Sequence, residues 1–137
     1  MRLWHYKLIP YLPKEMLVSQ WREVIAIKRQ WEKGTLKHRL VRYVMNHSKN
    51  MFVQYVGQVK SELTRRGINY KQTYWNEFLN FADEDYGFAV LLKYPEHNDR
   101  YLRQCYYNLQ EKYDRGIVSE EEWKNIHKNI YGLIKEK

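Results

Sequence analysis

The sequence is short of the residues that break or staple a chain. Of 137 residues, 6 are glycine, 3 are proline and 1 is cysteine. So few turn formers argue against a sandwich or barrel of many short strands and for helices. The single Cys105 excludes an intramolecular disulfide and a cysteine-built zinc site, and the reducing cytoplasm is the expected compartment. It lies on an apolar helical stripe, where a small buried hydrophobe is the expected role. No apolar run is long enough to span a bilayer. Met1-Arg2-Leu3-Trp4-His5 lacks the apolar core of a signal peptide. The five histidines show no metal-ligand spacing such as His-x-x-x-His. There is no glycine-rich phosphate loop and no Gly-x-Ser-x-Gly elbow. No metal and no cofactor is therefore expected. Acidic residues are scarce in one place only. Residues 1–70 carry 14 Lys/Arg against 4 Asp/Glu, while residues 71–137 carry 10 against 12.

What is present is apolar and aromatic. Apolar residues make up 44% of the chain, and 22 side chains are Trp, Tyr or Phe. That is enough for a packed core, and the length suits one domain over residues 1–137. The net charge of +8 comes from the first half. A one-sided positive field suits a polyanion, with double-stranded DNA the expected partner. A membrane surface is a poorer match, because the basic half lacks a clean amphipathic basic helix.

Apolar spacing predicts long helices near 14–32, 50–66 and 97–115, with a last one near 120–135. Gly34, Gly67 and Gly116 are the expected stops. Pro13 suits the start of the first helix. Asn50 is the expected cap of the second helix, and Ser119-Glu120-Glu121-Glu122 reads as a capping box. Thr73 to Phe81 reads as a short helix with Trp75, Phe78 and Leu79 inward. Thr35 to Ser48 reads as a short helix or irregular segment with a basic side. Ala82-Asp83-Glu84-Asp85 reads as a solvated turn. The expected fold is all-α: a compact single-domain helical bundle, three long helices with shorter helical segments, acting as a monomer.

Within the first helix, Leu17, Trp21, Val24, Ile25 and Trp31 form an apolar stripe, with Lys28 near its end. Arg22, Ala26 and Arg29 share another face. Glu23 lies at the margin, in line with Gln20 and Ile27. A carboxylate beside an arginine and apolar surface can act as a general base or stabilise a cation, although an isolated Arg-Glu pair is more often an ordinary solvated one.

The first 70 residues resemble a family. A basic residue stands beside the N-terminus, followed by Leu8, Leu12, Leu17 and Trp21-Arg22-Glu23. Then comes the basic run Lys33-Gly34-Thr35-Leu36-Lys37-His38-Arg39-Leu40-Val41-Arg42. Lys60-Ser61-Glu62-Leu63-Thr64-Arg65-Arg66-Gly67-Ile68-Asn69 looks like the end of the family's second helix. Pro95-Glu96-His97 looks like the lead-in to its third. The pattern is similar to the phage-type pyrimidine-dimer DNA glycosylase with AP-lyase activity, often called endonuclease V, and the opening residues look like a bacterial branch of it.

The resemblance implies a nucleophilic α-amine that forms a Schiff base with sugar C1′ and cleaves the strand by β-elimination. An α-amine titrates near 8 against about 10.4 for lysine, so more of it is free at neutral pH. By the same resemblance Met1 supplies the amine and Glu23 the carboxylate beside it, while Arg22 holds phosphate. Charge and position add Arg2, Arg29, Lys37, His38, Arg39 and Arg42 as DNA contacts. Neither Arg100 nor Arg103 matches the family's third-helix arginine cleanly. Lys14, Glu15 and Met16 replace its damage-recognising residues, so no lesion preference carries over. The alternatives are a basic helical DNA-binding domain without chemistry and a helical interaction protein.

Overall fold

The computed structural model describes residues 1–83 and 92–135. Glu84 and Asp85 of the expected acidic turn lie outside the described residues. All regular structure among the described residues is helical, so the fold is all-α. The α-helices are α1 (Lys14–Lys33), α2 (Lys49–Arg65), α3 (Gln72–Phe81), α4 (Asp99–Asp114) and α5 (Glu120–Ile134). Two 3-10 segments, Tyr6–Tyr11 and Arg42–Asn46, complete the list.

The chain divides into two units. One contains Met1–Leu3 and Val18–Tyr94, the other Trp4–Leu17 and Pro95–Lys137.

The core of the first unit is aromatic. Trp21 meets Phe78 at 5.7 Å between ring centroids, and Trp31 meets Phe52 and Phe81 at 5.9 and 5.1 Å. Edge-to-face and tilted pairs of this kind add about 1 kcal/mol each beyond their area burial. On α2, Phe52, Tyr55, Val56, Val59 and Leu63 recur at helical spacing and are all buried. The expected inward position of Leu79 is not observed, since it is 40% exposed. Phe81, three residues after Phe78, turns inward instead.

Helix ends follow their local chemistry. Gly34, Gly67 and Gly116 all adopt positive φ, near 70 to 79°. Each is followed by an N–H that reaches back five residues, as Ile68 does to the Leu63 carbonyl, closing the helix end. The cap of α2 differs from expectation. Ser48, not Asn50, accepts the Met51 N–H. The Asn50 side chain accepts the Asp83 N–H at 2.8 Å instead. The helix starts at Lys49, so Asn50 is already inside its first turn. At the C-terminal end of α2, Arg65 and Arg66 clamp Glu62.

In the second unit α4 and α5 pack together, with the Tyr6–Tyr11 segment against α5. Leu102, Cys105, Tyr106 and Leu109 of α4 and Ile126, Ile130 and Ile134 of α5 are buried in its interior. The capping box at Ser119 and Glu122 forms as expected. The third long helix begins at Asp99 rather than His97, because Asn98 caps it by accepting the Tyr101 N–H. His97 is thereby left for another role. His5 and His97 are both buried, their rings stacked at 5.4 Å. Burial, with the charge of His5 bearing on it, pushes His97 down to about 3; burial likewise takes His5 down to about 4. Both are neutral core residues at physiological pH.

Candidate active site

On α1, Gln20 and Glu23 stand in line at the margin of the apolar stripe, continued by Ile27. The structure lays the first residues of the chain along it. The Arg2 N–H donates to Glu23 Oε2 at 3.2 Å. The Gln20 side-chain amide donates to the Arg2 carbonyl at 2.9 Å. Gln20 is fully buried, and its own oxygen accepts the Tyr55 hydroxyl at 3.0 Å. Both polar groups of the Arg2 peptide are thus held by side chains one helical turn apart. Glu23 is half-buried, so its carboxylate keeps access to solvent.

Met1 lies at the end of this anchored stretch. Its α-amine is 3.5 Å from Nε2 of His38, and the contact is solvent-exposed. The opposite ring nitrogen, Nδ1, accepts the Leu40 N–H at 3.3 Å. Main-chain bonds from Val41 and Arg42 to the His38 carbonyl hold this bend in place. His38 was expected among the phosphate contacts, and it lies beside the amine.

Four of the named residues therefore come together: Met1, Arg2, Glu23 and His38. The others are not in this cluster's hydrogen bonds. Arg22, Arg29, Lys37, Arg39 and Arg42 are all exposed on the first unit. Arg29 lies over the Tyr74 ring at 5.7 Å. Among the described residues, Arg22, Lys37, Arg39 and Arg42 enter no ion pair. Cations left without carboxylates are available to an anion from outside.

A second carboxylate in the same unit is unavailable. Glu62 is buried between Arg65 and Arg66, with the Arg66 contact at 2.6 Å. Burial alone would raise its pKa, but the two guanidinium groups outweigh that and hold it below the usual range. Lys28 is also closed off, paired with Glu32 at 2.7 Å. Among the described residues, no three His, Cys, Asp or Glu side chains are grouped to hold a metal ion.

The clamp formed by Gln20 and Tyr55 was missed from sequence. The signal was a glutamine on an otherwise buried line of α1, which needs a partner to be satisfied there.

A family model described as pyrimidine dimer DNA glycosylase matches residues 1–76, more than half of the chain. The chain belongs to the pyrimidine dimer DNA glycosylase family. It is a DNA repair glycosylase, with DNA as its substrate. The matched region holds every member of the Met1–Glu23 cluster, His38 and the exposed arginines through Arg42. No curated protein and no solved structure matches the chain at a significant level. No helix among the described residues is long and apolar enough to cross a membrane.

Proposed function

We propose that this glycosylase is also an AP lyase of the cytoplasm, with the Met1 α-amine as nucleophile and Glu23 as the carboxylate that serves it. The observation that carries the reading is the 3.2 Å bond from the Arg2 N–H to Glu23. It ties the residue next to the amine to the carboxylate, which supports a site containing both. The unprotonated amine attacks C1′ of the damaged nucleotide. The C1′–base bond breaks and its electron pair leaves with the base. Loss of an amine proton and opening of the sugar leave an imine. That imine is an electron sink: removal of a C2′ proton expels the 3′ phosphate, breaking the C3′–O bond.

Glu23 stabilises the cationic sugar during attack and carries protons afterwards. His38, 3.5 Å from the amine, is a second group placed to exchange a proton with it. Arg2, Arg22, Arg29, Lys37, Arg39 and Arg42 hold the DNA through phosphates. Removing a nucleotide from the stack costs a few kcal/mol, which phosphate binding must offset.

Borohydride reduction in the presence of abasic duplex tests this. The expected result is a covalent protein–DNA adduct, lost when the α-amine is acetylated. An adduct that persists after acetylation would assign the nucleophile to a lysine. The lyase reading fails if neither form is trapped.

A further inference from the structure

The second unit contains a basic cleft that the chemistry of Met1 and Glu23 does not use. It lies between α4 and α5, is open to solvent and has a volume of about 780 Å³. On α4, Arg100, Arg103, Gln104 and Tyr107 recur at three- and four-residue spacing, so they form one stripe. This stripe lies outside the buried one through Leu102, Cys105, Tyr106 and Leu109. α5 supplies Tyr131 and Lys135.

Three features separate the cleft from an ordinary solvated surface. Its lining has three cations and no carboxylate, in the half of the sequence that carries net negative charge. Arg100, Arg103 and Lys135 make no ion pair among the described residues. Two cations elsewhere in this unit are paired, Arg115 with Glu111 and Lys124 with Glu120. Finally, Tyr107 is 53% and Tyr131 43% exposed, yet both rings are braced. His127 stacks on Tyr131 at 4.7 Å, and its Nδ1 is bonded to the buried Tyr106 hydroxyl at 2.6 Å. Tyr107 stands edge-on to Tyr106 at 5.3 Å. Braced rings lose little freedom when a flat partner lands on them.

We infer that this cleft binds unpaired nucleotides of a DNA strand, with base faces on Tyr107 and Tyr131 and phosphates on Arg100, Arg103 and Lys135. Interleaved cations and accessible rings match the two chemistries of a single strand. A duplex offers phosphates but hides its base faces. The inference rests on DNA being the substrate of this glycosylase, and it adds a second contact surface outside the residues matched by the family.

The test uses the full chain and fluorescence anisotropy with two labelled probes. One is a ten-nucleotide oligothymidylate, the other a strand of equal length and charge built from tetrahydrofuran abasic units, which carry no aldehyde for an amine to attack. Replacing Tyr107 and Tyr131 together by alanine should weaken oligothymidylate binding by between about fivefold and a hundredfold. Abasic-strand affinity should stay within about twofold. The Tyr107→Phe/Tyr131→Phe pair should bind like the parent, since the rings are kept. Arg100→Gln with Arg103→Gln should lower the salt slope for both probes by about 0.7 per lost contact. Unchanged oligothymidylate binding in the alanine pair overturns the proposal, as does an equal loss on the abasic strand. If the alanine pair fails to fold, an unchanged slope in the arginine pair overturns it instead. Borohydride trapping on abasic duplex reads the Met1 chemistry separately: trapping lost with oligothymidylate binding kept would sink that reading alone.

Discussion

Two side chains take a main-chain N–H from the N-terminal stretch, and they do so in opposite settings. In the first unit the acceptor for Arg2 is Glu23, a half-buried carboxylate, at 3.2 Å. In the second the acceptor for Tyr6 is Nδ1 of His97, a buried neutral imidazole, at 3.3 Å. The geometry of the two bonds is nearly the same. A structural anchor needs only a lone pair, and a neutral imidazole supplies it without the cost of burying a charge. A carboxylate in the same role makes sense where the charge itself has work to do and water can still reach it. The comparison therefore separates an anchor from an anchor that is also proposed as a reactive group.

The largest expected effect breaks the buried side of this comparison with acid. The motive is the lowering of His97 to about 3 and His5 to about 4. Unfolded histidine takes up a proton near 6.5, whereas the folded pair does not. Stability is thus fully present above pH 6.5 and is lost as pH falls toward the folded values. The loss is about 1.4 kcal/mol per pH unit for each histidine. Denaturant titrations at pH 7 and pH 5 should differ by roughly 2 kcal/mol or more on this basis. The His97→Gln protein keeps an acceptor for Tyr6 but does not titrate, so its difference should be clearly smaller. Equal differences in both proteins would show that the acid sensitivity comes from elsewhere.

The next effect sharpens the exposed side. Glu23→Gln retains an oxygen for the Arg2 N–H and removes only the charge. Strand cleavage of abasic duplex should fall by roughly a hundredfold or more. The melting temperature should stay nearly constant and DNA affinity should hold. A loss of stability comparable to that of an unsatisfied buried group would make Glu23 an anchor like His97.

Much of this was legible because it is periodic. The apolar stripes of α2 and α4, the three glycine stops and the Ser119 capping box depend on residues a few positions apart. The aromatic-Arg-Glu and basic runs carried the family. What was not legible depends on distant pairing. His5 and His97 are separated by 92 positions, and neither sits in a motif. His38 reads as one more cation in a basic run until folding places it beside Met1. Asn50 fits the rule for a cap, but Ser48 satisfies that rule two residues earlier. Leu79 and Phe81 show the limit of pattern in a short helix, where about half a turn of phase decides which side chain is inside.

The smallest effect tests whether anchoring itself matters to the proposed chemistry. Gln20 joins Arg2 to Tyr55 through one buried amide. Tyr55→Phe removes the hydroxyl at that end and leaves the bond to the Arg2 carbonyl possible. It should cost about 1 kcal/mol of stability and leave borohydride trapping nearly unchanged. Gln20→Ala removes both bonds. Its cost should be about 1–3 kcal/mol, as for buried groups stripped of partners. If the amine works because residues 1–3 are held along α1, trapping by the alanine variant should slow about tenfold under conditions where the protein is fully folded. Misplacement by about 1 Å is enough for a loss of that order. Glu23 still accepts the Arg2 N–H in this variant, so the remaining activity measures what one anchor can do without the other. Trapping at the parent rate would mean that Glu23 alone positions the amine, and that the buried glutamine serves only the packing of α1 against α2.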